Sequence, residues 1–169
     1  MVARVSVTIR PMSDDEFATW LPRMRDGYAD QLARYGGIPG RAARTKAQVD
    51  TERLFPADRP SSAQAVFVVE ADGERVGELW VAERDDQPDL DRALWIFDVR
   101  IEEQHRGRGY GRAAMLAAEE EARRRGLERI ALNVFGGNEV ARNLYRSLGY
   151  AENAVMMSKR LSTTSTGEL

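Results

Sequence analysis

Arg106-Gly107-Arg108-Gly109-Tyr110-Gly111-Arg112 stands between an apolar run, Ala93 to Ile101, and a long amphipathic stretch that starts near Tyr110. Alternate residues from Gly107 to Gly111 are glycine, so the backbone is bare where a strand hands over to a helix. The first N–H groups of a helix lack internal partners, and the macrodipole adds partial positive charge there. Such a junction is a seat for an anion, and a phosphorylated ligand is its natural occupant.

Working outward, Leu94 to Ile101 reads as the strand that enters this bend. Upstream of it, Ala65 to Val69 and Val76 to Val81 flank Asp72-Gly73, the signature of a β-hairpin, and Asp85 to Leu90 reads as a loop. Downstream, Glu119, Glu120 and Glu121 each precede an arginine by four residues, as on a solvated helix face, and Gly126 fits the residue just past its C-terminus. Ile130, Leu132 and Val134 then alternate as a strand, and Gly136-Gly137 interrupts it. Asn138 is placed to cap a short helix whose buried stripe is Ala141, Leu144, Tyr145 and Leu148. Ala154 to Leu161 reads as a last strand.

The N-terminal third carries weaker signals. Val5, Val7 and Ile9 alternate as a strand, and Ser13 with Glu16 makes a capping box ahead of Phe17, Trp20, Leu21, Met24 and Tyr28. Leu32 to Tyr35 extends that helix or begins another before the Gly36 to Gly40 loop. A further helix is expected over Ala42 to Leu54, followed by a connector at Pro60-Ser61-Ser62. The order of elements implies a mixed α/β sheet in one domain spanning 1–161, with a disordered Ser/Thr-rich tail at 162–169.

Composition narrows the functional classes. The 169 residues are 43% hydrophobic, enough for one substantial core, and the formal charge of −2 argues against a nucleic-acid surface over the whole protein. Cysteine is absent and histidine occurs once, so thiol chemistry is excluded and a zinc site of the usual type is not expected. The start, MVARVSVTIR, lacks the apolar core of a signal peptide, and no apolar run approaches the roughly 20 residues of a membrane helix. A cytoplasmic protein without a membrane partner is the expectation.

Two blocks of sequence carry a family resemblance. Val99-Arg100-Ile101 followed by Arg106-x-x-Gly109-x-Gly111 resembles the acyl-CoA signature of the GNAT superfamily of N-acetyltransferases. Asn138-x-x-Ala141-x-x-Leu144-Tyr145-x-x-x-Gly149-Tyr150 resembles the downstream motif of the same superfamily, at the expected distance. The resemblance implies a central, mostly antiparallel sheet whose fourth and fifth strands splay apart, flanked by helices, with acetyl-CoA as co-substrate and no metal. Its pantetheine arm would pair with backbone groups of Val99 and Ile101. Its pyrophosphate would rest on amides from Arg106 through Arg112, where Gly107, Gly109 and Gly111 let it approach and Arg106, Arg108 and Arg112 add charge. Asn138 matches a position that commonly bonds the cofactor arm.

The chemistry so implied has three demands. The acceptor amine must lose a proton, because an ammonium with a pKa of roughly 10 has no free electron pair. Charge on the carbonyl oxygen needs a donor, and a backbone N–H near Val99 is the natural one. The departing thiolate benefits from a proton, and Tyr145 matches the family tyrosine placed near the sulfur. For the base, Asp98 on the fourth strand ranks ahead of Glu78 on the third, and a water chain would also serve. The bland readings are a Tyr145 that is plain core, an Asp98 that braces a strand, an exposed Glu78 and a His105 that only packs.

Rival readings fit less well. A Rossmann dinucleotide site would need its third glycine where Arg112 stands, and the region upstream is a hairpin. An RNA-binding reading would need further Arg-Gly repeats. A non-catalytic acyl-CoA-binding module of the same fold is the remaining alternative. The acceptor is a small-molecule amine or a protein amino group, with Trp20, Met24, Tyr28, Tyr35 and the Gly36 to Gly40 loop as its expected wall. The family commonly forms homodimers, a point the sequence leaves open.

Overall fold

The computed structural model describes residues 5–60, 63–85 and 92–159. Ser61-Ser62, most of the expected loop after Asp85, the end of the last expected strand and the tail from Ser162 lie outside the described residues. In chain order the elements are β1 (Thr8–Pro11), α1 (Asp14–Arg34), α2 (Gly40–Leu54), β2 (Gln64–Ala71), β3 (Glu74–Arg84), β4 (Ala93–Ile101), α3 (Tyr110–Arg124), β5 (Ile130–Leu132) and α4 (Glu139–Ser147). Short 3-10 turns cover Pro56–Asp58 and Glu103–His105. No helix among the described residues is long and apolar enough to cross a membrane.

Among the described residues the strands form one sheet in the order β1-β2-β3-β4-β5, antiparallel except for the parallel β4–β5 pair. β2 and β3 meet through Asp72 and Gly73, both at positive φ (52° and 78°), as a tight hairpin turn demands. One face of the sheet packs on α3, where Ala114, Met115 and Ala118 meet Phe67, Val69, Leu79, Val81, Leu94 and Ile96. The other face packs on α1, where Phe17, Trp20, Leu21 and Met24 meet Val66, Trp80 and Phe55. The predicted capping box starts α1: Glu16 N–H donates to Ser13 Oγ at 3.3 Å, and Ser13 N–H donates to Glu16 Oε2 at 2.9 Å.

A bulge in β4 decides which side chains face α1. Trp80 pairs with Asp98 while Val81 pairs with Ile96, so Phe97 is the extra residue. Before it, Leu94 and Ile96 point to the α3 side; after it, Val99 and Ile101 take over that role. Phe97 stacks on Trp80 on the α1 side, with ring centroids 4.6 Å apart. Directly paired residues share a face, so Asp98 lies with Trp80, and Arg100 with Glu78, on the α1 side. Uninterrupted alternation would have turned Asp98 toward α3 instead.

The β4–β5 ladder is short. Its pairs are Leu94 with Ile130, Trp95 with Ala131 and Ile96 with Leu132. From Phe97 to Ile101, β4 has no β5 partner, which is the expected splay. Beyond Leu132 the chain crosses toward the helices on the other side, where Phe135 stacks on Tyr35 at 6.1 Å and joins the cluster of Ala29, Leu32, Ala43 and Ala47.

Several expectations are corrected. The first strand begins at Thr8, three residues later than the alternation starting at Val5 implies, because its partner register runs Thr8–Glu70 to Pro11–Phe67. α1 is one continuous helix through Arg34, and α2 starts at Gly40 instead of Ala42. β5 stops at Leu132 and leaves Val134 out, since the bulge removes its neighbour. No strand forms over Ala154 to Lys159, which is exposed throughout. Glu121 is not on a solvated face: it is buried, with Arg124 and Arg125 closing over its carboxylate.

Gly77 marks the tightest approach of β3 to the open half of β4, since a Cβ there would lie 2.2 Å from the Arg100 carbonyl oxygen. Gly77→Ala is expected to cost about 1–3 kcal/mol through forced separation of these strands, read as a lower midpoint in urea unfolding. An unchanged midpoint would contradict the close packing.

Candidate active site

The bend after β4 is exposed from Arg106 through Gly109. Gly107 and Gly109 hold φ of 74° and 87°, a backbone that side chains resist, and open space lies where a Cβ at Gly107 would stand. The first bond into α3 runs from Ala113 N–H to the Gly109 carbonyl at 3.1 Å, which leaves the N–H groups of Tyr110, Gly111 and Arg112 ahead of the helical ladder. The Arg106 N–H, by contrast, donates to the Glu103 carbonyl at 3.3 Å. Of the expected run of amides from Arg106 through Arg112, the Arg106 N–H is thus already engaged within the protein.

The arginines of the bend divide their work. Arg106 Nε donates to the Ile101 carbonyl at 3.0 Å, tying the bend to the strand end. Arg112 donates to Ser147 Oγ on α4, and Arg108 is exposed, with no ion pair among the described residues. Gly111 already lies within α3, and a Cβ there would meet Leu144 Cδ2 of α4 at 3.5 Å. His105 is buried, edge-on to Tyr110 at 6.1 Å, with Nε2 3.6 Å from Glu74 Oε1. Asn138 caps α4, accepting from Ala141 N–H at 3.3 Å through Oδ1, so its side-chain amide N–H₂ is the part left for another partner.

Asp98 and Tyr145 lie close enough to influence each other electrostatically beside the gap between β4 and β5. Burial pushes the Asp98 carboxyl up to about 6, and the nearby Glu78 carboxylate adds to the shift. Arg100 and the Val99 N–H act the other way. Burial also pushes the Tyr145 phenol up to about 12, helped by the Asp98 charge. Tyr145 belongs to the cluster that holds Val99 and Ile101, so it reaches the gap from the α3 side while Asp98 reaches it from the α1 side. Tyr150, not singled out in sequence beyond its motif, lies 5.9 Å from Tyr145 ring to ring; its hydroxyl is buried without a partner.

Glu78 is not the exposed strand residue its alternation suggests. It is 2% exposed, with Oε1 accepting from Arg23 at 2.9 Å and Oε2 from Arg75 at 3.2 Å. Both oxygens are engaged, so it acts on Asp98 as a fixed negative neighbour. Of the expected acceptor wall, Trp20 and Met24 are core, Tyr28 Oη donates to Asp50 at 3.0 Å, and Tyr35 is stacked on Phe135. Arg100 escapes sequence reasoning; its signal is a charge alternating with Val99 and Ile101 on the face of Asp98.

The raised Asp98 pKa has a stability consequence. A carboxyl held at about 6 in the fold and near ~4 in the unfolded chain contributes stability that is full below about pH 4 and lost as pH rises through about 6. Asp98→Asn is expected to flatten that slope and to raise stability near pH 7 by up to about 3 kcal/mol. Urea titrations from acid to neutral pH read it; matching slopes in the two proteins would contradict it.

Comparison with known proteins agrees with this geometry. Residues 30–150 match the Acetyltransferase (GNAT) family. The Bacillus subtilis protein YycN, named an uncharacterized N-acetyltransferase, is 30% identical over 93% of this chain and 100% of its own. YdgE of the same organism, named in the same way, is 31% identical over 93% of this chain and 99% of its own. The crystal structure of YycN superposes with a TM-score of 0.85 at 27% identity, covering 94% of this chain and 100% of that one. The aminoglycoside N-acetyltransferase AAC(6')-Iy in complex with CoA shares the fold, with a TM-score of 0.59 at 20% identity over 96% of this chain and 100% of its own. With one family matched from residue 30 to 150 and a relative aligned along its full length, this chain belongs to the GNAT family of acetyltransferases.

Proposed function

We propose that the protein transfers an acetyl group from acetyl-CoA to a primary amine by direct attack within a ternary complex. The observation that carries this is the edge of β4 from Phe97 to Ile101, which has no β5 partner among the described residues, runs into the exposed glycine bend and is flanked by Asp98 and Tyr145. A β-strand edge offers hydrogen bonds to an extended amide-bearing arm, and the bend offers unpaired N–H groups to a diphosphate. The residues fit the group: Gly107 through Arg112 would hold the diphosphate, Val99 and the strand edge the arm, with Arg108 and Asn138 contributing side chains. When bound, acetyl-CoA supplies an activated thioester. AAC(6')-Iy, whose structures contain CoA and a bisubstrate analogue built on acetylneamine, has the same fold, which supports an amine acceptor here.

Each protein group then has a defined task. Asp98, ionised above about pH 6, accepts the proton of an incoming ammonium at its carboxylate, directly or through water. Its raised pKa brings it closer to that task than an ordinary aspartate. The Val99 N–H, which the Asp98 carboxylate also draws on, is the backbone donor this reading assigns to the developing negative charge. Tyr145 keeps its phenolic proton throughout the range in which amines react, since its pKa stands at about 12, so Oη is a standing donor on the α3 side. Complete proton loss to a thiolate with an ordinary value of about 8.5 would be uphill. Its contribution is a hydrogen bond that strengthens as charge develops.

Tyr145→Phe is expected to lower kcat by about 10²-fold with little change in CoA affinity, measured by thiol release with an amine panel and by calorimetry. An unchanged kcat would leave Tyr145 as core. Gly109→Val should weaken CoA binding far more than it lowers the unfolding midpoint; unchanged affinity would remove the amide seat.

A further inference from the structure

Arg100 occupies an unusual position. It lies half-buried on the α1 face of β4, two residues from Asp98 on the same side, in the stretch that β5 leaves uncovered. Its cross-strand partner, Glu78, has the opposite charge, yet both Glu78 oxygens are already taken by Arg23 and Arg75. Arg75 additionally pairs with Glu102 at 3.2 Å. Arg100 Nη1 is turned toward α1 at Gly27, where even an added Cβ would stand 3.7 Å away. Among the described residues no carboxylate lies within ion-pair distance of its guanidinium; Asp98 acts on it only through space.

A guanidinium has five donors in a planar fork that matches a carboxylate in two-point fashion. Holding one half-buried without a counter-ion in direct contact costs solvation that Asp98 at a distance only partly offsets, and a ligand anion would offset the rest. Asp98 and Arg100 point to the same side, separated by roughly 7 Å along the strand. A molecule whose amine approaches Asp98 therefore meets Arg100 with whatever group it carries a few bonds away. We propose that Arg100 binds a carboxylate on the acceptor, so that the preferred substrates are amines that also bear a carboxylate, as in an amino acid or a peptide with a free C-terminus.

This inference rests on the acetyl-transfer reading, and the experiment separates the two. Matched acceptors differing only in the carboxylate are compared in kcat/KM: 4-aminobutyrate with propylamine, lysine with cadaverine, and a lysine-containing tripeptide with free or amidated C-terminus. The expected result is a preference of about tenfold or more for the carboxylated member, falling by a similar factor in Arg100→Gln and partly restored in Arg100→Lys. Using the ratio within each pair cancels any effect that Arg100 exerts through Asp98 on both members. The free amino acids and the tripeptide distinguish the two sources of the carboxylate. Binding of the same carboxylated amines in the presence of CoA is measured in parallel by calorimetry. Binding that depends on Arg100 without turnover would uphold the site and sink the acetyl-transfer reading. Turnover of both members at equal efficiency, equal losses for both in Arg100→Gln, or lost CoA affinity in that variant would each overturn the carboxylate site.

Discussion

Parallel pairing between β4 and β5 stops at Ile96 and Leu132, and the rest of the molecule is arranged around that stop. A buried strand edge without partners would be costly, because each unmet N–H or C=O forfeits a hydrogen bond. The open half of β4 avoids this on one side by pairing with β3, and its other edge has no β5 partner among the described residues. The Phe97 bulge sits at the point of divergence and turns Asp98 to the α1 side. One inserted residue thus combines an open edge with a carboxylate beside it.

Two anchored segments flank the open edge of β4. On one side α1 is fastened to the sheet by the aromatic cluster of Phe17, Trp20, Phe55 and Trp80 and by Arg23 on Glu78. On the other, the segment after β5 is held by Phe135 on Tyr35, with Gly137 fitting so closely that a Cβ would lie 2.9 Å from the Tyr35 ring. Both anchors run through α1, because Tyr35 is the residue that caps its C-terminus.

The local devices were legible in the sequence, and the features set by distant partners were not. The hairpin at Asp72-Gly73, the capping box at Ser13, the glycine bend and the Asn138 cap depend on residues within a few positions of one another, so pattern suffices. The start of β1 depends on its register with β2, fixed by Arg10 pairing with both Glu16 and Glu70, and Val5 alternation cannot reveal it. Glu78 looks exposed until Arg23 is brought to it from α1. The stretch 151–159 has strand-like composition, yet its described contacts run through Glu152 to Arg142 and Arg146 on α4 and not through a ladder. For the site, the sequence supplied Asp98 and Tyr145, while Arg100 gains its meaning only once both Glu78 oxygens are seen to be occupied.

Gly111 carries a consequence for genetics. It touches Leu144 and is followed by Arg112, which bonds Ser147, so the start of α3 and the turn of α4 that carries Tyr145 are joined back to back. A larger residue there would shift the helix bearing the phenol at the same moment as it disturbs the glycine bend. Alleles at this codon would therefore score as a combined defect, whereas alleles at Gly107, which borders open space, would strain only the bend itself, whose φ of 74° side chains resist.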